Sequence, residues 1–223
     1  MRILIFGAGV LGTFYGARLS ANGNDVTVLA RGRRAEQVRA DGLMIEERGR
    51  GKLHARVNTI EVLEPDNAYD YVLVLVRNDQ VDSVLSILAA STATPNVVFM
   101  YNNAAGPQRL IEALGSQRVI LGFPGAGGEK TEDGTVRATV VMPVIQKTTI
   151  GELDGNVSLR VRVLADILQQ AGFPTAISLD MDAWLKTHVA IVSPIADAFY
   201  AADSDIKALA NNRSLVVKMV RAI

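Results

Sequence analysis

The stretch RILIFGAGVLG, residues 2–12, decides the fold. A short run of branched apolar side chains is typical of a buried strand, and here it leads directly into a glycine-rich turn and a segment with helical spacing. Gly7, Gly9 and Gly12 have the spacing G-x-G-x-x-G, which tightens the turn, lets a pyrophosphate approach the backbone and lets the helix pack on the strand. The motif predicts a dinucleotide site, with a turn needed only for packing as the alternative.

We call residues 7–12 the glycine loop. Its phosphate ligand would lie at a helix N-terminus, where free N–H groups and the helix dipole favour an anion. The expected cofactor contacts in this loop are Gly7, Ala8, Gly9, Val10, Leu11 and Gly12.

The next strand-like run ends in ARGRR (residues 30–34), which places Arg31 where such folds hold the ribose of the cofactor. A guanidinium suits a ribose 2′-phosphate and has no acceptor for a free 2′-hydroxyl. The sequence therefore predicts NADP(H) over NAD(H). A solvated basic turn is the alternative interpretation.

Strand-like and helical segments alternate along the first half of the chain. The strand-like runs are residues 2–6, 25–30, 71–76 and 96–101, and the helical segments are residues 10–22 and 79–90. This alternation predicts a Rossmann-type, doubly wound α/β fold with a parallel sheet. Residues 135–142 and 148–153 predict antiparallel strands added at the edge of that sheet, before a helix at 158–172.

From Met181 the pattern is helical almost to the last residue. We place an NADP-binding domain at residues 1–178 and the beginning of a helical substrate and dimerisation domain at residues 179–223. This stretch forms at most two helices, which cannot enclose a core by themselves. Several apolar side chains must therefore pack on the first domain, on a second subunit or on residues absent from this chain. They are Ile191, Ile195, Phe199, Leu209, Leu215, Val216 and Met219.

The composition excludes several classes of function. Lys and Arg total 23 and so do Asp and Glu, and only 5% of residues are aromatic, which argues against nucleic-acid or anionic-membrane partners. Cys is absent and His occurs twice, which excludes thiolate catalysis, disulfides and a Cys- or His-rich metal site. The start does not fit a secretory signal, and no run approaches the roughly 20 apolar residues of a membrane span. We expect a cytoplasmic protein that acts on a small molecule.

An ordered set of motifs resembles the ketopantoate reductase (2-dehydropantoate 2-reductase) family of NADP-dependent enzymes. The motifs are GAGVLG (7–12), ARGRR (30–34), LVRNDQV (75–81), YNN (101–103), TIGELDG (149–155) and AWLK (183–186). The resemblance covers nearly the whole chain and implies that NADPH reduces a 2-keto acid or a related carbonyl compound, as in pantothenate biosynthesis. Members of the family usually continue with further helices, so this chain looks as if it lacks much of the C-terminal helical domain. We expect either a fragment of a longer enzyme or a naturally short relative whose cleft another subunit completes.

The resemblance also implies roles for individual residues. Arg31 matches the family arginine at the 2′-phosphate, Arg77 stands where the family usually has a lysine near the cofactor, and Asn102 matches an asparagine beside nicotinamide and substrate. Lys186 matches the general acid, since an ammonium stabilises the charge that hydride transfer builds on the carbonyl oxygen and then delivers the proton. From the residues alone, Asn102 is an ordinary turn residue and Lys186 an ordinary surface lysine.

Three departures from the family pattern leave the substrate open. Ala190 stands four residues after the lysine, where the family has an asparagine. Ser193 precedes Pro194 where a second asparagine is expected, and it either binds substrate or bonds back to a helix carbonyl. The segment GFPGAGG (122–128) either approaches the cofactor or forms a flexible turn.

The functional hypotheses are therefore three. The first is an NADPH-dependent reductase of a 2-keto acid or related carbonyl compound, homodimeric through its C-terminal helices. The second is an NADP-binding regulatory or scaffold protein without turnover, and the third is an imine or opine-type reductase on the same scaffold. His188 lies about 200° round the helix from Lys186, so we interpret it as a packing or interface residue rather than a catalytic partner.

Overall fold

The computed structural model of the chain describes residues 1–142 and 144–223. Within these residues the chain divides into two compact units. The first unit is Met1–Asn102 with Pro107–Met181, and the second unit is Asn103–Gly106 with Asp182–Ile223. The functional boundary that we place between residues 178 and 179 stays a prediction.

The secondary structure alternates as the sequence predicts over the first half of the chain. The strands are β1 (Arg2–Phe6), β2 (Asp25–Leu29), β3 (Leu43–Glu47), β4 (Gly51–Ala55), β5 (Asn58–Ile60), β6 (Tyr71–Val74), β7 (Val97–Met100), β8 (Val119–Phe123), β9 (Ala126–Lys130), β10 (Val136–Val140), β11 (Thr148–Gly151) and β12 (Thr175–Ile177). The helices are α1 (Val10–Ala21), α2 (Arg33–Asp41), α3 (Val81–Ala90), α4 (Gln108–Leu114), α5 (Leu159–Gln170), α6 (Met181–Tyr200), α7 (Ile206–Asn211) and α8 (Arg213–Ala222), with 3-10 turns at Asn78–Gln80 and Ser116–Arg118.

The larger sheet has the strand order β12-β11-β8-β7-β6-β1-β2-β5. Its strands are parallel from β8 to β5, whereas β11 runs antiparallel to β8 and carries β12 beside it. Strands β6 and β7 are buried along their whole length, as expected for a sheet covered on both faces. The predicted α/β fold with an antiparallel edge is confirmed.

A smaller sheet, with the order β4-β3-β10-β9, was not predicted. Residues 135–142 do contain a strand, β10, but its predicted place at the edge of the larger sheet is wrong, because β10 pairs with β3 and β9. The flexible-turn interpretation of residues 122–128 is also wrong. The N–H of Gly125 donates to the Thr148 hydroxyl at 3.1 Å, and β9 begins at the next residue.

Helix α1 carries an aromatic cluster that anchors it in the core. Tyr15 stacks on Phe173 with ring centroids 4.0 Å apart, and the Arg18 guanidinium lies 4.8 Å from the Phe14 ring and 4.9 Å from the Phe173 ring. Arg18 also forms a buried ion pair with Glu47 of β3. This pair links α1 to the smaller sheet, and removing one partner of it would leave an uncompensated buried charge.

The second unit forms a small core of its own, so five of the seven apolar side chains expected to need another partner pack within the unit, four of them partly buried. In the part of the chain that the structure describes, α6, α7 and α8 enclose this cluster, because the chain turns at Asp203 and Ser204, both with positive φ. The cluster consists of Ala198, Phe199, Ala202, Leu209, Leu215, Val216 and Met219. Ile191 and Ile195 remain 42% and 40% exposed.

Candidate functional site

The glycine loop follows β1 and is shaped by close backbone contacts. Gly7 has a φ of +111°, and a Cβ atom there would lie 2.8 Å from the carbonyl oxygen of Leu75. A Cβ atom on Gly12 would lie 1.8 Å from the Gly7 carbonyl oxygen, so the packing of α1 on the loop requires glycine. A Cβ atom on Gly9 would meet nothing within 4 Å. The backbone at Gly9 is therefore open to a ligand.

The first turn of α1 offers unsatisfied N–H groups beside this opening. Gly9 precedes the helix and supplies no side-chain cap, and the first turn contains no acidic residue. The N–H of Thr13 donates to the Gly9 carbonyl at 3.0 Å, so the N–H groups of Val10 and Leu11 precede the first helical hydrogen bond. With the helix dipole, they favour an anion at this position.

Arg34 supports the glycine loop through side-chain hydrogen bonds, a role that was not predicted. Its Nε donates to the Ala8 carbonyl at 3.1 Å, its Nη2 to the Thr13 hydroxyl at 2.7 Å and its Nη1 to the Gln37 side chain at 2.8 Å. Burial lowers the pKa of Arg34. The motif ARGRR indicates a basic turn, but which arginine faces the loop depends on where α2 begins.

Arg31 lies in the same turn but does not share the contacts of Arg34. It is exposed, and across residues 1–142 and 144–223 its side chain has no ion pair or hydrogen bond. The turn itself is held by Glu61, which accepts from the Gly32 N–H at 3.2 Å and pairs with Arg39 at 2.9 Å. The Arg39 hydrogen bond and then the Gly32 N–H lower the pKa of Glu61. The Arg31 guanidinium is thus available to an anion.

Arg77 follows β6 and is engaged by a neighbour in the chain. Its Nε and Nη2 donate to the two carboxylate oxygens of Asp79 at 3.0 and 2.5 Å. Its backbone N–H donates to the side-chain oxygen of Gln80 at 3.2 Å. The hydrogen bond to Asp79 raises the pKa of Arg77. Because the side chain is 77% exposed, a bound anion competes with a solvent-exposed ion pair rather than a buried one.

Asn102 lies just beyond β7 and is exposed, whereas the next residue, Asn103, is buried and donates to the Gly106 carbonyl at 2.9 Å. Tyr101 before it is buried, and its hydroxyl accepts from Arg109 at 3.4 Å. Burial raises the pKa of Tyr101. The segment therefore presents the Asn102 side chain to solvent while its neighbours are held in the protein.

The larger sheet brings the predicted cofactor residues of the first unit to the carboxyl ends of its parallel strands. Strands β7, β6, β1 and β2 are neighbours and parallel, and their carboxyl ends lead into Asn102, Arg77, the glycine loop and Arg31 respectively. The chain order reverses between β6 and β1, and ligands of open α/β sheets bind at such a point.

In the second unit, one side of α6 carries Lys186, Ala190 and Ser193, and we call it the Lys186 face. These residues are four and seven positions apart along the helix, so they lie on one side, and all are exposed. The Lys186 ammonium lies 2.5 Å from the Asp182 carboxylate. Pro194 has no N–H, so the Ala190 carbonyl lacks its usual helical donor.

The histidine on α6 packs as predicted. The His188 ring stacks on Trp184 with centroids 5.1 Å apart and an angle of 6° between the planes. Burial lowers the pKa of His188. Among the residues that the structure describes, no group of His, Asp and Glu side chains is arranged to hold a metal ion, and no helix is long and apolar enough to cross a membrane.

The sheet order, the strand-end glycine loop and the open helix N-terminus define a Rossmann-type dinucleotide-binding protein. A protein-family model described as ketopantoate reductase PanE/ApbA matches residues 3–155. The chain therefore belongs to the ketopantoate reductase family.

Individual relatives agree with this assignment. The chain is 29% identical over 197 residues to a 2-dehydropantoate 2-reductase of Archaeoglobus fulgidus, with 87% of this chain and 63% of that protein covered. It is 27% identical over 227 residues to one of Pyrococcus horikoshii, with 99% and 71% covered. The crystal structure of 2-dehydropantoate 2-reductase from Methylococcus capsulatus superposes with a TM-score of 0.78 at 20% identity, covering 100% of this chain and 72% of that one. This chain thus spans less than two thirds of the Archaeoglobus relative.

Proposed function

We propose that the chain carries the cofactor-binding part and the proton donor of an NADPH-dependent reductase that acts on a 2-keto acid or related carbonyl compound, such as ketopantoate. The observation that carries the proposal is the open backbone at Gly9, at an uncapped helix N-terminus. Arg31 follows the neighbouring parallel strand, and its side chain has no ion pair among the described residues. The names of the curated relatives, 2-dehydropantoate 2-reductase, support the same reaction.

The glycine loop fits the pyrophosphate of NADP(H), since Val10 and Leu11 offer N–H groups and Gly9 leaves room for the phosphate oxygens. Arg31 would take the 2′-phosphate, and Arg77 would exchange Asp79 for a cofactor phosphate. Asn102 would lie beside the nicotinamide and the substrate. When bound, NADPH supplies the hydride.

The Lys186 face belongs to residues 179–223, the predicted substrate domain, and would bind and protonate the carbonyl compound. Lys186 donates a proton to the carbonyl oxygen as charge builds there. The carboxylate of Asp182, 2.5 Å from the ammonium, orients the donor. The Ser193 hydroxyl, which has no hydrogen bond within the described residues, and the Ala190 carbonyl are available to polar groups of the substrate.

The test is a titration with NADPH, followed by an assay of NADPH oxidation with a panel of 2-keto acids that includes ketopantoate. It is done with this chain and with any longer product of its gene. We expect binding and turnover with at least one acid. NADPH binding without turnover in both forms would instead support the regulatory protein, and turnover only when an amine accompanies the keto acid would support the imine or opine-type reductase.

Dimerisation through the C-terminal helices is also part of the proposal. Ile191 and Ile195 are exposed on α6, and burying them in a subunit interface would stabilise a homodimer. Light scattering measures the molecular mass of the unaltered chain, expected to be a dimer, and of Ile195→Lys, expected to be a monomer. A monomeric unaltered chain would contradict the proposed dimer.

A further inference from the structure

The strand register places Lys130 on the inner face of the smaller sheet. Lys130 of β9 lies opposite Val136, which in turn lies opposite Ile45 of β3. Residues directly opposite each other share a face of a sheet, and both Val136 and Ile45 are buried in the core that contains α1. Lys130 therefore ends an otherwise apolar row that faces α1, and at this end of the row, on the outermost strand, the residue is exposed.

The outer face of the same sheet contains a row of alternating charges. Glu129, Arg137, Glu46 and Lys52 are neighbours in this order across the sheet. Arg137 and Glu46 form an ion pair of 3.2 Å. Arg137 and Glu46 therefore compensate each other on this face, whereas Lys130 has no ion pair or hydrogen bond in the part of the chain that the structure covers.

The turn that joins β9 to β10 contacts the middle of α2. Gln37 donates to the Asp133 carbonyl at 2.9 Å and accepts from Arg34 at 2.8 Å. The contact is so close that a Cβ atom on Gly134 would lie 1.8 Å from the Gln37 amide nitrogen. This docking holds the end of β9 near the basic turn that follows β2.

Lys130 and the arginines of the basic turn are therefore like charges that lie near one another. Partial burial, followed by the nearby charges of Arg34 and Arg33, lowers the pKa of Lys130. Neither Lys130 nor Arg33 has a carboxylate partner among the residues described. Such a grouping is unfavourable by itself and becomes favourable when it shares an anion.

We propose that Lys130, reaching from the smaller sheet, joins Arg31 and Arg33 in binding the 2′-phosphate of NADP(H). The inference rests on the proposed function and adds a specificity residue to it. The 2′-phosphate is the favoured anion because the turn after the second strand holds the ribose in this fold. Arg34 is already committed to the Ala8 carbonyl and the Thr13 hydroxyl.

The experiment compares two fragments that differ only in the 2′-phosphate, adenosine 2′,5′-bisphosphate and AMP. Their affinities are measured calorimetrically for the unaltered chain, for Lys130→Ala and for Lys52→Ala, which removes the same charge from the outer face. Lys130→Ala is expected to bind the bisphosphate about tenfold more weakly and AMP unchanged, because one charge-assisted contact is lost. Lys52→Ala is expected to bind both fragments as the unaltered chain does, and Lys130→Arg to retain most of the affinity.

Equal weakening of both fragments by Lys130→Ala, no weakening, or the same weakening by Lys52→Ala would overturn the inference. So would an unaltered chain that does not prefer the bisphosphate over AMP. The fragments contain no nicotinamide and need no turnover. If they bind as expected while the chain oxidises no NADPH, the reductase proposal fails and the assignment of Lys130 stands.

Discussion

The glycine loop and the Lys186 face would carry the two halves of the proposed chemistry, and they are built in opposite ways. The loop is enclosed by backbone, with a Cβ atom on Gly12 predicted to lie 1.8 Å from a carbonyl oxygen, and Arg34 ties it to α2. The Lys186 face belongs to a single helix, is exposed, and is held by one ion pair with Asp182. The loop is shaped before any ligand arrives, whereas on the helix face the Ser193 hydroxyl has no partner among the described residues and the Ala190 carbonyl lacks its usual helical donor.

Because of this difference, mutations in the two regions give different kinds of information. A change in the glycine loop alters packing, so its effect on the cofactor is mixed with its effect on folding, except at Gly9. A change on the exposed Lys186 face barely alters folding, because substitutions at such surface positions usually change stability by less than about 0.5 kcal/mol. Activity measured there reports chemistry directly.

The largest effect is expected for Gly12→Ala. The added methyl collides with the Gly7 carbonyl, so the loop must move, at a cost of about 3 kcal/mol of unfolding free energy together with loss of NADPH binding. Chemical denaturation and NADPH titration measure the two effects. The matched control is Gly9→Ala, whose methyl meets no protein atom within 4 Å; it should fold normally and bind NADPH poorly. Equal stability of the two variants would contradict this view of the loop.

Lys186→Ala tests the opposite region. Loss of a general acid should lower kcat by about 10² to 10⁴-fold, while the melting temperature and the affinity for NADPH stay unchanged because the side chain is exposed. Steady-state kinetics with the best substrate of the keto-acid panel measure this. Lys218→Ala removes an exposed lysine from α8 and serves as the control. An unchanged kcat in Lys186→Ala would show that the lysine is not the proton donor.

Arg34→Lys and Arg31→Ala distinguish support of the loop from recognition of the cofactor. A lysine cannot bridge both Ala8 and Thr13, so Arg34→Lys should weaken NADPH and NADH alike, by about tenfold. Arg31→Ala should weaken NADPH and leave NADH unchanged. Fluorescence titration with both cofactors measures the ratios. If Arg34→Lys spared NADH, the arginine would be a ligand of the 2′-phosphate rather than a support of the loop.

The smallest effect concerns His188 and pH. Burial lowers the pKa of His188 below its usual value of 6.5, so the unfolded chain takes up this proton first as pH falls. The free energy of unfolding should therefore decrease as the pH falls from that usual value to the lowered pKa of the folded state. Below the lowered pKa, the loss that His188 causes should stay constant. His188→Phe keeps an aromatic ring beside Trp184 and removes the titration. The difference in unfolding free energy between the two proteins across this range isolates the effect, and a constant difference would contradict it.

Much of the first unit could be predicted because its patterns are local. β1, the glycine loop and α1 follow one another directly, and each is encoded by residues within a few positions of it. The role of Arg34 could not be predicted, because three arginines crowd one turn and only the start of α2 decides which of them faces the loop. The partner of β10 was equally hidden, since an alternating strand fits any half-buried sheet and β3 lies far earlier in the chain.

By itself, the sequence determined the parallel sheet, the glycine loop and the family to which the chain belongs, and it predicts a 2′-phosphate at Arg31. These depend on side-chain period, glycine spacing and charge, which are read along the chain. Only the tertiary structure decided that Lys130 faces α1 while Glu129 faces away, and that the C-terminal helices enclose a small core. Strand pairing and helix packing join residues distant in sequence, and their contacts become visible only when the chain is folded.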